Sequence, residues 1–269
     1  MKGPFIIIFR GHSGSRLLTD AFLKNGFWMG SCENRTRDAK EFDYRLPAVR
    51  ELVKGGIHYA EASAAEKQRV QQQMRNLGEA SKNLCPHPDP VIAYGWKRAI
   101  NTFLIEVFLD AYPQGKVIHL IRDGRDVMLS RLARVEEIDD PVVRYMVFGN
   151  EGLSEYRGRP LTSDVVKKFR NELEMHHWVT AVRFGMRGRK FPNRYLEVFY
   201  EELCAKSVDI LGKVFEFLDM PFFPQTQEYL MKNASTKRIC KWKTYEDLIK
   251  NEIEIGRPLL EELGYLKSQ

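Results

Sequence analysis

The sequence predicts an α/β fold, a three-layer sandwich with a central, mostly parallel sheet. Four short β-rich apolar runs, at residues 5–9, 91–94, 117–121 and 195–199, recur along the chain. Long helix-patterned segments separate them, the alternation expected of a parallel sheet covered on both faces. A chain of 269 residues with 43% hydrophobic and 12% aromatic content can fill one large core, so disorder is excluded.

The first run ends at Arg10 and passes into the small-residue turn Gly11-His12-Ser13-Gly14-Ser15. A helical pattern follows, with Leu17, Leu18, Ala21 and Phe22 on one face, and stops near Asn25-Gly26. Backbone N–H groups at that helix start, with the Ser13 and Ser15 hydroxyls, can cradle an anion, and Gly11 and Gly14 let the backbone come close. Glycine and serine are equally common in ordinary βα turns, so the loop alone is open to both readings. Residues 39–83 are charged, Gln-rich and helix-prone, and break at Cys85-Pro86-His87-Pro88. This stretch, 39–90 with its break, reads as a helical insertion over one end of the sheet on the substrate side. Residues 135–193 mix helix with loops at Gly149-Asn150-Glu151-Gly152 and Gly158-Arg159-Pro160. Past residue 199 a helix runs through Val208, Leu211, Val214, Phe215 and Leu218 to Met220-Pro221. Without internal repeats or a low-complexity linker, a single domain over residues 1–269 is the simplest organisation.

The third run is the most informative. Residues 117–121 stop at Arg122, the charged turn Asp123-Gly124-Arg125-Asp126 follows, and a helical pattern puts Ser130 and Arg134 one turn apart on one side. A buried strand that delivers an arginine at its tip, facing a serine and a second arginine, is an anion clamp. Arginine supplies paired planar donors and serine one more. With the first loop, the clamp points to a nucleotide bearing phosphate at two ends.

Composition narrows the classes. A formal charge of +6 and a pI near 9.0 favour anionic partners without separating nucleic acid from a small phosphorylated molecule. Cys32, Cys85, Cys204 and Cys240 are scattered and lack C-x-x-C pairing, so they read as reduced thiols and not as a zinc set. Residues 5–9 are too short for a signal core, and no apolar stretch approaches the roughly 20 residues of a membrane span. A cytoplasmic protein is expected. The turn Gly11-His12-Ser13-Gly14-Ser15-Arg16 lacks the lysine of a Walker A loop, and Asp123 is the nearest candidate for a magnesium-binding aspartate. An ATP-dependent small-molecule kinase and a basic nucleic-acid-binding module are the rival readings. The second is disfavoured because the most pointed basic residues sit at strand ends, not along one helix.

Loop and clamp together resemble the sulfotransferases that use 3′-phosphoadenosine-5′-phosphosulfate (PAPS), nearer the carbohydrate and protein-tyrosine type than the cytosolic steroid and phenol type. His12-Ser13-Gly14-Ser15-Arg16-Leu17 is similar to the family's 5′-phosphosulfate loop, and Arg122 with Ser130, eight residues on, resembles its 3′-phosphate element. Tyr94-Gly95-Trp96-Lys97, the stretch from Arg194 to Leu203 and the stretch from Ser235 to Trp242 resemble three further elements, so the likeness spans about residues 5–245, with 39–83 unmatched. The family's pattern departs at His12, where a Lys or Arg is usual, and at Ala99, where a proline is usual.

The resemblance implies a P-loop NTPase-like fold and metal-independent sulfuryl transfer from PAPS to an acceptor hydroxyl, with a saccharide, lipid-linked or natural-product alcohol preferred. It implies that Arg10, Gly11, His12, Ser13, Gly14, Ser15 and Arg16 surround the 5′ end, and that Arg122, Ser130 and Arg134 hold the 3′-phosphate. Tyr200, Lys241 and Trp242 are expected to close on the nucleotide, and Lys97 and His12 to stabilise charge on the leaving oxygen. Glu33 is the expected general base, with Asp38, Glu41 or the pair His176-His177 as alternatives. The basic stretch 183–190 would tolerate an anionic acceptor.

Overall fold

The computed structural model describes residues 1–86, 90–130, 140, 142–144 and 154–267. Its centre is a five-stranded sheet in the order β2-β3-β1-β4-β7. The strands are β1 (Lys2–Phe9), β2 (Phe27–Trp28), β3 (Ala93–Lys97), β4 (Lys116–Ile121) and β7 (Tyr195–Phe199). Every pairing is parallel, with Ile7 beside Lys97, Phe9 beside Leu120 and Ile121 beside Phe199. The four strands expected from the apolar runs are all present. The edge strand β2, two residues long, carries too little pattern to be read from sequence.

Alternation along β1 divides the core. Ile6 and Ile8 face one layer, whereas Phe5, Ile7 and Phe9 face the other. On the second side lie α1 (Ser15–Lys24), through Leu18, Ala21 and Phe22, and the later helices α9 (Ser207–Phe217) and α10 (Pro224–Asn233). The helix expected after residue 199 is thus split, because α8 (Tyr200–Ala205) precedes α9 with a break at Lys206.

The expected insertion corrects one reading. Its helices, α2 (Pro47–Ile57) and α3 (Ala64–Asn83), do not cap an end of the sheet; they form part of the layer over one face. Val49, Leu52, Val53, Val70 and Met74 pack in one cluster with Ile6, Ile8 and Trp96. Helix α3 has only a thin apolar stripe, so its polar content concealed a core role. A capping box, Ser63 with Glu66, fixes its start. The loop expected at 158–160 instead belongs to a small antiparallel hairpin, in which Arg157-Gly158 form the turn between β5 (Glu155–Tyr156) and β6 (Arg159–Pro160).

A third cluster joins the end of β4 to the remaining helices. Ile121, Val127 and Met128 meet Met175, Trp178 and Val182 of α7 (Arg170–Met186) and Leu259 and Leu260 of α11 (Lys250–Glu262). The short helices α4 (Ile105–Ala111), α5 (Gly124–Leu129) and α6 (Ser163–Lys168) lie between these elements, as do 3-10 turns such as Ala99–Leu104 and Lys241–Leu248.

Candidate functional site

Parallel strands put their carboxyl ends on one edge, where open α/β sheets hold ligands. Four neighbouring strands deliver candidate residues there: β3 ends on Lys97, and β1, β4 and β7 are followed directly by Arg10, Arg122 and Tyr200. The sheet itself assembles the site.

The turn after β1 folds onto itself. The Ser13 backbone N–H and hydroxyl donate to the Arg10 carbonyl at 3.2 and 2.5 Å. His12 and Gly14 take left-handed backbone conformations, φ 69° and 81°. Gly14 admits no larger residue, since a Cβ there would lie 2.1 Å from the Tyr200 ring. Helix α1 begins at Ser15 with no side-chain cap and no acid in its first turn. Its first N–H groups have no partner within the helix, and the positive end of its dipole faces the strand-end edge. The Arg10 side chain turns away into a buried ion pair with Glu174 at 2.5 Å, both side chains under 10% exposed. Arg10 thus braces the loop from behind, and sequence reasoning did not find Glu174. His12 and Arg16 stay exposed, and Arg16 reaches the Arg35 carbonyl at 3.4 Å. Loss of solvent pulls the His12 pKa below the ordinary histidine value, opposed by Glu174 and reinforced by Arg122 and Arg35.

Lys97 is 1% exposed. Its Nζ lies 2.9 Å from Asp38 Oδ1, donates to the Thr36 carbonyl at 2.5 Å and to Ser15 Oγ at 3.3 Å, and sits over the Phe9 ring. Burial lowers its pKa, while Asp38 pulls the other way. Lys97 therefore reaches the first residue of α1. Among the expected acids, Asp38 is the one at this lysine. Glu33 lies at the surface and pairs with Lys40 at 3.7 Å, both side chains about two-thirds exposed. Glu41 accepts the Ser31 N–H at 3.0 Å. His176 packs edge-on to Tyr156, and His177 lies near Phe103.

Arg122 is 4% exposed and joins three segments. It donates to the His12 carbonyl at 2.9 Å and the Arg238 carbonyl at 2.5 Å, lies 3.4 Å from the Asp126 carboxylate, and stacks on the Tyr200 ring at 4.6 Å. Its Nε is buried without a partner. Burial pushes the Tyr200 pKa up to about 12, so its hydroxyl stays protonated. The helix expected to carry both Ser130 and Arg134 ends earlier, at Leu129. Ser130 is its C-cap, exposed, with its hydroxyl bonded back to the Asp126 carbonyl at 2.7 Å. Arg134 lies outside the described residues.

The C-terminal loop meets this clamp. Trp242 is buried against the Arg125 guanidinium, 3.6 Å from its ring centroid, whereas Lys241 is exposed. Asp126 accepts the backbone N–H groups of Cys240 and Trp242 at 2.9 and 3.0 Å. Asp126 was not foreseen, although an acid four residues after Arg122 on a helix start is a pairing signal. Asp123, the candidate magnesium ligand, grips Arg125 through both oxygens, at 3.0 and 2.7 Å, and is 4% exposed. The basic stretch at the end of α7 is neutralised locally. Arg183 pairs with Glu262, Arg187 with Glu106, and Arg189 with Glu197 and Glu262, so carboxylates already partner the stretch expected to tolerate an anionic acceptor. Among the described residues no helix is long and apolar enough to cross a membrane.

Comparison with known proteins agrees with this architecture. The sulfotransferase domain of the Synechococcus PCC 7002 olefin synthase aligns over 96% of both chains, with a TM-score of 0.53 and 16% identity. The sulfotransferase domain of the curacin biosynthetic pathway aligns over 89% of this chain and 80% of that one, with a TM-score of 0.50 and 18% identity. At these identities the likeness concerns the fold. In sequence, mouse carbohydrate sulfotransferase 3 is 25% identical over 124 residues, 46% of this chain and only 24% of that protein. A profile described as the sulfotransferase family matches residues 15–224. By that match over most of its length, the chain belongs to the sulfotransferase family.

Proposed function

We propose that the protein transfers a sulfuryl group from PAPS to an acceptor hydroxyl, with a saccharide or natural-product alcohol preferred. The observation that carries this reading is the convergence, at adjacent strand ends, of an uncapped helix start, a buried lysine touching that start, and a buried arginine. The residues fit the donor. The α1 N-terminus and the Gly14 turn suit a 5′-phosphate, and the buried, unpartnered Nε of Arg122 suits a second anion beside it. Binding at two separated anion sites would distinguish PAPS from ATP or ADP.

PAPS, when bound, supplies an activated sulfuryl group. The protein's task is positioning and charge stabilisation, as in phosphoryl transfer. Lys97 Nζ, held by Asp38, Thr36 and Ser15, is placed to neutralise charge on the leaving oxygen. Asp38 is the carboxylate best placed to take the acceptor's proton, since it is shielded and adjoins Lys97, whereas Glu33 is solvated. His12 stands at the loop mouth, and its lowered pKa favours a neutral imidazole that can donate a hydrogen bond. The saccharide preference is supported by the name of the mouse relative.

Calorimetric titration with 3′-phosphoadenosine-5′-phosphate (PAP) against ADP tests the reading. PAP should bind at least tenfold more tightly. Equal or tighter binding of ADP would sink it.

A further inference from the structure

Asp126 is 1% exposed, the most buried of the described carboxylates, and its bonds lie across two parts of the chain. Oδ1 accepts the Trp242 N–H, Oδ2 accepts the Cys240 N–H, and Arg122 stands 3.4 Å away. Arg122 in turn donates to the Arg238 carbonyl. The loop from Arg238 to Trp242 is therefore held at three alternate backbone positions by one buried ion pair. Cys240 takes a left-handed conformation, φ 58°, uncommon for a non-glycine residue, within that turn. The basic side chains Lys237, Arg238, Lys241 and Lys243 remain exposed. The Asp126 carbonyl accepts the Ser130 hydroxyl, so the clamp serine, the clamp arginine and the loop all meet at Asp126.

We propose that Asp126 is a positioning residue, a latch whose buried carboxylate fixes the loop of residues 238–242 against Arg122 and so completes the pocket for the 3′-phosphate. The inference rests on the donor reading above. Charge alone predicts the opposite of a latch. A carboxylate beside Arg122 repels a phosphate, and removing its charge should then tighten binding. As a latch, Asp126 cannot be replaced by asparagine, because one amide oxygen must serve two N–H donors while the amide NH2 opposes one of them. The two roles differ in sign.

Titration of wild type and Asp126→Asn with PAP and with adenosine 5′-monophosphate, which lacks the 3′-phosphate, separates them. Asp126→Asn should weaken PAP tenfold or more and leave the monophosphate within twofold. Unchanged or tighter PAP binding overturns the inference, as does equal weakening of both ligands, which a merely structural role would produce. A wild-type protein that binds the monophosphate as tightly as PAP overturns the donor reading itself. A second measurement needs no variant. Hydrogen exchange of nucleotide-free wild type should show the Cys240 and Trp242 amides protected, and exchange at the rate of an open chain would overturn the latch.

Discussion

His119 should make the fold acid-labile in a defined window. The imidazole sits within β4 at 0% exposure, with Nδ1 2.6 Å from the Tyr195 hydroxyl. That hydroxyl donates its one proton to Glu197 at 2.9 Å, so Nδ1 carries the ring proton and donates to Tyr195. Nε2 is left without a partner, and a Cβ placed on Gly185 would come within 2.6 Å of it. A second ring proton would find no acceptor there, and burial lowers the His119 pKa from 6.5 to about 4, with Glu197 opposing the shift. The unfolded chain therefore binds the proton first. Stability is fully present above pH 6.5 and is lost as the pH falls toward 4, at up to about 1.4 kcal/mol per pH unit and about 3 kcal/mol in all. Urea unfolding of wild type and His119→Gln from pH 4 to 7.5 measures this. Carboxylates remote from His119 cancel in the difference, as does any constant loss in the variant. The gap between the curves should narrow on acidification. Parallel curves, or a native-state NMR titration of His119 with a midpoint near 6.5, would refute the reasoning.

Arg122→Ala should weaken PAP by about 2–5 kcal/mol, the usual range for truncating one member of a buried charged pair, with ADP changed far less; equal losses by calorimetry would place Arg122 away from the 3′-phosphate. Lys97→Ala should lower turnover with PAPS by about 10²–10³, as for removal of one stabilising donor, and change PAP affinity less; an unchanged rate would remove it from the chemistry. Gly14→Ala should lower both Tm and PAP affinity, because the new methyl group meets the Tyr200 ring at positive φ. Pairing it with Tyr200→Ala should cost less than the sum of the two single changes, and strict additivity would show that the ring is not the obstacle.

What could be read from sequence follows from where the information lies. Residues 5–9 and 117–121 are nearly unbroken apolar runs because both faces of a parallel strand are buried, and each stops at an arginine of the candidate site. The eight-residue interval from Arg122 to Ser130 survived as a local pattern, but the end of α5 at Leu129 did not, since the apolar period continues past it. Glu33 and Asp38 lie on one connection and differ only in how that loop turns Asp38 onto Lys97, which no periodicity encodes. Glu174 was invisible for a similar reason. It is an acid on a helix whose partner, Arg10, lies far away in the chain. The inward stripe of α3, at Val70 and Met74, was diluted by glutamines and charges on its exposed faces.

The strand-end construction of the site also bears on how the fold responds to a ligand. Segments beginning at Arg10, Lys97, Arg122 and Tyr200 come together only when β1, β3, β4 and β7 are paired, so no partly unfolded form that has lost one strand keeps the full site. A bound nucleotide is therefore linked to cooperative unfolding of the whole sheet and not to a local opening. At a ligand concentration of about 100 times Kd, that linkage raises stability by about 2.7 kcal/mol. The core strands, usually the last to exchange their amides, would then report occupancy of a pocket that lies at their ends.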